Sequence, residues 1–408
     1  MAPEAIERHL KTRQGLRRLP DDERFQSWSQ DVRAKAFPGI ELAHRTVRIR
    51  SHQRRWEYVP RDGANWIVAD LELSTAMSEM QALLAAQNWQ VEASHIFLHT
   101  MLGDAFREVL LPSAYAFCVR KAHERRPFLR ALRQTAMGTK GWSASSLFAY
   151  LHELAHIVVA QKHRITEFWS QSVQIAFAKL AAKSQSFAEN PQDGLQSPHI
   201  QGQLRQYVDR IQAGGTDLER EALCDIIAAL AFLNLLTERD LFLLAPAGGL
   251  PLTLRQFGDA LLNAAETLQH MQLLSAIRQF AGDFSRGSHG VLGTHMIDLT
   301  VRSNCLVFLL SHIYSVLSAG LGGENSGFTR ALSEDEVENL FLSSIARRFD
   351  KYHERLTNPF EDLTAFFLDE ELFPAEYRAE FGELPDPAAM LPDRAIDDLR
   401  AGLYDEGT

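Results

Sequence analysis

The chain is poor in cysteine, with three in 408 residues, at Cys118, Cys224 and Cys305. So few, so far apart and odd in number, they exclude a disulfide framework and point to a reducing, cytoplasmic setting. The first residues, Met-Ala-Pro-Glu-Ala-Ile-Glu-Arg, lack an apolar signal region, so secretion by that route is not expected. No glycine loop of the phosphate- or dinucleotide-binding kind is present, and no serine or cysteine sits in a nucleophile-elbow setting. Internal repeats and low-complexity tracts are also missing. Long apolar runs are scarce. Residues 303–323 carry no formal charge, but Asn304, Ser311, His312, Ser315 and Ser318 interrupt them. Those groups are costly in lipid, so a buried core helix is expected there and no membrane span.

What is present is ordinary globular material, 46% hydrophobic and 23% charged. Its net charge of −10 is unevenly placed, +5 over residues 1–62 and −13 over residues 320–408. The basic stretch from Arg45 to Arg55 would suit an acidic partner, but no zinc finger or other nucleic-acid signature accompanies it, so no nucleic acid is expected. Pairing with the chain's own acidic C-terminal segment is the preferred expectation.

Alternating patterns at 45–50, 55–59 and 66–71 predict short strands of a small sheet near the N-terminus. From about Thr75 onward, apolar residues recur every three or four positions. The expected class is therefore mainly α, with a zincin-like helical catalytic core and a small β element. The expected organisation is a basic N-terminal segment (1–62), a helical catalytic domain (63–325) and an acidic helical C-terminal segment (326–408) that could regulate it. Ser333-Glu334-Asp335-Glu336 reads as a capping box, and 185–215, with its prolines and glycines, reads as loops around a short helix. His95 and His99, four apart but without a following glutamate or a carboxylate pair, read as core or helix-face residues.

The chemistry gathers in one helix, expected to start near Ser143 or Ser145. It contains His152-Glu153-Leu154-Ala155-His156 inside the apolar run Phe148 to Ala160. Histidines four apart lie one turn from each other on one face, so both imidazoles can reach one ion. The ion expected is Zn2+. Zinc lowers the pKa of a bound water from about 15.7 towards about 7, and Glu153 can then act as general base in attack on a carbonyl.

A catalytic zinc takes three protein ligands and keeps one position open. Val159 and Lys162 stand where the metzincin pattern needs glycine and histidine, and His163 is two turns beyond His156, too distant to share the ion. The aspzincin pattern is not met around Gly215-Thr216-Asp217. The better source is Glu221-x-x-x-Asp225, 65 residues past His156, with two carboxylates on one face of a second helix. Glu221 is the expected third ligand, with Glu219 as the alternative. Asp225 is expected to accept a hydrogen bond from the distal nitrogen of a ligand histidine, fixing its tautomer. An acidic first turn of an ordinary helix would show the same residues.

His152-Glu-x-x-His156 followed by Glu221-x-x-x-Asp225 resembles the gluzincin metallopeptidases. Within that group the pattern is similar to HtpX-type and CAAX-prenyl-protease-type enzymes and to the Lit-type phage-exclusion peptidases, over roughly Ser143 to Arg302. The resemblance implies a zinc endopeptidase acting on a protein or peptide. The Lit-type likeness implies cleavage of a cytosolic protein in phage defence. Several of these families carry a later Thr-His-Pro element followed by an arginine that helps bind substrate or transition state. Gly293-Thr294-His295 and Arg302 stand in that order, without the proline and with the arginine one residue late. His295 is thus the first candidate for a second catalytic residue at the developing oxyanion, with His289 and Arg302 behind it. A plain helix start at His295 is equally compatible.

Overall fold

The computed structural model describes residues 4–11, 13, 16–20, 22–61, 63–125, 144–189, 198–213, 216–237, 254–287, 297–309, 343, 347–348 and 350–381. Its elements begin with α1 (Glu4–Leu10), β1 (Arg17–Arg18), α2 (Glu23–Ala36), β2 (Arg45–Arg50), β3 (Glu57–Arg61), β4 (Ala64–Asp70) and α3 (Leu71–Ala85). Helices α4 (Val91–Glu108), α5 (Pro112–Glu124), α6 (Ala144–Ala160), α7 (Arg164–Glu189), α8 (Pro198–Ala213), α9 (Thr216–Thr237) and α10 (Leu254–Arg286) follow. Helical residues 297–309 form α11. A π turn (His353–Thr357) then leads into α12 (Asn358–Leu368) and α13 (Leu372–Phe381). The class is mainly α with a small sheet near the N-terminus, as the sequence predicts.

The chain forms two compact units, each assembled from three separated segments. The first takes residues 1–74, 143–272 and 292–345. Its sheet has the order β1-β2-β4-β3, with β2 and β4 parallel and the outer pairs antiparallel. Gly63, at φ +68°, turns β3 back into β4, a conformation that favours glycine. Alternation does what a half-buried strand requires: Val47, Ile49, Val59, Trp66 and Val68 meet Ile6 and Leu10 of α1 in one core.

At the end of β4 a fully buried carboxylate organises the approach to β3. Asp70 accepts from the Ser51 hydroxyl, from the backbone N–H of Ser51 at 3.2 Å and Arg55 at 3.4 Å, and from Glu72 N–H at 3.1 Å, starting α3. Burial outweighs those bonds and raises its pKa. Arg13 closes the cluster, donating to Arg55 O at 2.9 Å and to Glu57 at 2.7 Å. Burial would raise Glu57 too, but Arg55, His9 and Arg13 together hold it below the usual range. The leader arginines thus find local carboxylates: Arg48 pairs with Asp22, Arg50 with Glu72 and Arg55 with Glu57. Much of the acidic C-terminal segment (320–408), with which pairing was expected, lies outside the described residues.

Helix α6 is apolar almost all round, which makes it a buried helix. It ends where Lys162 takes φ +51°, with Lys162 N–H on Val159 O at 3.0 Å. Its long neighbour is α9, buried on every side from Ala222 to Leu233. Asn234 donates to Ala36 O at 3.0 Å and ties α9 to the end of α2. One expectation differs: where loops around a short helix were expected over 185–215, its described residues are helical, the end of α7 and the 16 residues of α8. Pro198 occupies the first position of α8, where its missing N–H costs nothing, and Val208 and Ile211 are buried on that otherwise polar helix.

The second unit takes residues 75–142, 273–291 and 346–408. Its core is aromatic: Phe106 lies 5.4 Å from Phe284 and 5.2 Å from Phe367, while Phe117 lies 5.8 Å from Phe367 and 5.4 Å from Phe373. Here too lie His95 and His99, whose rings sit 6.2 Å apart. His99 meets His95 O at 2.7 Å, and burial pushes its pKa down to about 3. No helix among the described residues is long and apolar enough to cross a membrane.

Candidate metal centre

The i, i+4 spacing on α6 and the i, i+4 spacing on α9 face each other within the first unit. His152 Nε2 lies 3.2 Å from His156 Nε2 and 3.2 Å from Glu221 Oε2, and His156 Nε2 lies 3.5 Å from Glu221 Oε1. A tetrahedral zinc with bonds of about 2.05 Å spaces its ligands about 3.3 Å apart. The three donors therefore fit one face of such a coordination shell. Among the described residues no other group of three histidine, cysteine, aspartate or glutamate side chains comes together in this way. Glu219, the alternative ligand, is not part of the cluster.

Behind the donors stand the groups that orient them. His152 Nδ1 is 2.9 Å from Asp225 Oδ1, a close contact in which the N–H falls short of hydrogen-bond alignment. Asp225 is 1% exposed and receives two guanidinium bonds from Arg302 on α11, at 2.7 and 2.8 Å. Arg302 also reaches Glu221, with Nη1 at 3.4 Å from Oε2. His156 has different company. Its Nδ1 is 3.3 Å from Cys224 Sγ, and its ring stacks on Tyr58 of β3 at 5.8 Å and 7°.

The electrostatics are those of a site short of positive charge. Burial alone would favour neutral His152, but Asp225 and Glu221 outweigh it and raise the ring to about 10. Against the same burial penalty, His152 and Arg302 hold Glu221 well below the carboxylate range, and Arg302 holds Asp225 low. His156 is pushed down to about 3 by burial and then by His152, which leaves its ring neutral and its lone pair available. Burial pushes Glu153 up to about 7, against His152 and a backbone bond from Tyr58 that lower it. A proton on His152 thus supplies the positive charge that a divalent cation would supply between the same carboxylates.

Access differs from residue to residue. The His152 side chain is 7% exposed, His156 13% and Glu221 30%, so the cluster is reached from solvent on its glutamate side. Structural zinc sites are closed by four protein ligands, whereas three donors with an open side leave a position free.

The structure brings together His152, Glu153, His156, Glu221 and Asp225. It places Arg302 in an ion pair with Asp225, so its guanidinium serves the carboxylates. His295, His289 and Gly293-Thr294 lie outside the described residues. Two neighbours escaped the sequence reading. Cys224 stands three residues past Glu221, one turn along the same face, a spacing that could have marked it. For Tyr58 only the strand pattern was available, and alternation does not say which helix a strand faces.

No protein-family model matches the chain, and no curated protein or solved structure matches it. The gluzincin resemblance therefore rests on the motif residues alone.

Proposed function

We propose that the chain is a zinc-dependent endopeptidase in which His152, His156 and Glu221 hold the metal and Glu153 is the general base. One observation carries the reading: three donor atoms on two helices converge at zinc-like spacing, with a buried glutamate on the same turn. Bound there, zinc would supply Lewis acidity, bringing water and a substrate carbonyl within reach of neutral-pH chemistry.

The chain's own groups then have defined tasks. Glu153 takes a proton and returns it to the leaving amine, from a position on the same helical turn as the two histidines. Asp225 orients His152, Cys224 and Tyr58 orient His156, and Arg302 balances the two carboxylates of α9. The three cysteines are free and buried, in keeping with a reducing compartment and a cytoplasmic protein substrate, as the Lit-type likeness implies. His295 remains the proposed oxyanion partner.

Metal content and cleavage test this together. Purified protein should contain about one zinc per chain, lost in His156→Ala and kept in Glu153→Gln. Proteins cleaved in cells expressing the wild type should stay intact with Glu153→Gln. Zinc retained without any such difference would leave a metal-stabilised regulatory protein as the better reading. Absence of zinc would end both.

A further inference from the structure

Away from the metal cluster, α2 and β2 of the first unit enclose a cavity of about 320 Å³. Four arginines, Arg18, Arg33, Arg45 and Arg48, line it with one carboxylate, Asp22. Two of the charges are already matched, Arg18 by Glu7 and Arg48 by Asp22 at 2.9 Å. Arg33 donates to Leu42 O at 2.9 Å, and Arg45 lies over the Trp66 ring at 5.4 Å. Neither has a carboxylate partner among the described residues. Two guanidinium charges are therefore left facing one small space.

The Arg45 guanidinium lies over the Trp66 ring at 5.4 Å, a contact that holds it in place without using its N–H groups.

We propose that this cavity binds a small organic phosphate. A phosphomonoester carries about −1.5 to −2 charges near neutrality and three strong acceptor oxygens, which matches two guanidinium groups without a carboxylate partner. The volume lies at the small-molecule end of the range for ligand pockets, about 300–1,000 Å³. A polyanion such as nucleic acid would call for a longer run of unpaired charge than two arginines provide. The cavity reaches the helix of the candidate metal motif only through two of its lining side chains. Ser29 and His44 line it, and both hydrogen-bond the Tyr150 hydroxyl on α6, His44 at 3.1 Å. A ligand there would bear on the helix that carries His152.

Calorimetric titration of the full chain at near-physiological salt tests this without reference to any hydrolytic activity. Phenyl phosphate should bind saturably with a Kd below about 1 mM, inorganic phosphate more weakly, and phenol not at all. Arg45→Glu should weaken phenyl phosphate at least tenfold, and Arg33→Gln should do likewise. Arg205→Glu, an exposed charge reversal on α8, should leave it unchanged. Circular dichroism establishes that each variant is folded. If Arg33→Gln is not, Arg45→Glu decides, since Arg45 is exposed. Equal binding of phenol, no saturable binding of either phosphate, or full affinity in Arg45→Glu would each overturn the proposal. So would Arg45-dependent binding of a single-stranded oligonucleotide by a chain that ignores phenyl phosphate.

Discussion

Replacing Arg302 with methionine removes a guanidinium and keeps most of the apolar stem. Two bonds of 2.7 and 2.8 Å to Asp225 are lost, together with the 3.4 Å approach to Glu221. Asp225 is 1% exposed, so water cannot replace them. Breaking one side of a buried ion pair costs about 3–5 kcal/mol, against about 0–1 for an exposed pair. The folded-to-unfolded ratio should therefore fall by roughly two to four orders of magnitude. Urea unfolding with a chelator present, followed by a probe in the first unit, reads this directly. Adding Asp225→Leu to Arg302→Met should recover part of the loss, because no carboxylate is then stranded. The pH dependence has a definite sign. Asp225 is held below its ordinary value of 3.8, so its contribution is present above that value and fades as the pH falls through the lowered one. In Arg302→Met the stranded carboxyl is relieved by protonation, so the gap between variant and wild type should be widest above about pH 5 and narrow in acid. A loss under about 1 kcal/mol, or a gap independent of pH, would refute the buried-pair argument.

Three further outcomes are expected. Asp225→Ala should weaken zinc binding about 10–100-fold in competition with a chromophoric chelator, since His152 loses its outer partner; unchanged affinity would remove Asp225 from the site. Asp70→Ala should cost at least about 3 kcal/mol in chemical unfolding, because several buried donors lose their acceptor at once; a loss under 1 kcal/mol would mean that the loop before β3 is held by other contacts. Phe117→Ala should destabilise the second unit by about 3–5 kcal/mol. It should also leave zinc stoichiometry untouched, because all three donors lie in the first unit, and a parallel loss of metal would contradict the expectation.

The His152, His156 and Glu221 cluster was legible because helical periodicity converts sequence spacing into geometry. His152 with His156, and Glu221 with Asp225, each announce a shared face, and the apolar runs around them announce burial. Arg302 was legible as a residue but not in its role, since an ion pair with a residue 77 positions away leaves no periodic trace. The stretch 185–215 was read as loops around a short helix because its composition is polar and it carries prolines and glycines, whereas Pro198 sits at the one helical position that tolerates it. The strands were legible from alternation, with the second displaced from 55–59 to Glu57–Arg61. The displacement follows from Asp70 and Arg13, which bind Arg55 as part of the approach to the strand, a tertiary constraint no local pattern records.

The order of residues along the chain has a consequence for synthesis. Asp225 leaves the ribosome 77 residues before Arg302. At about 5–20 residues per second, that is an interval of roughly 4–15 s. Throughout it the nascent chain has the histidines and both carboxylates of the centre but not the guanidinium that lets Asp225 go dry. Until α11 has been made, Asp225 on α9 lacks the two guanidinium bonds it has in the folded chain. The centre is therefore completed from downstream, late in translation, and a chain truncated before residue 302 would carry every predicted ligand without the counter-charge that allows them to be enclosed.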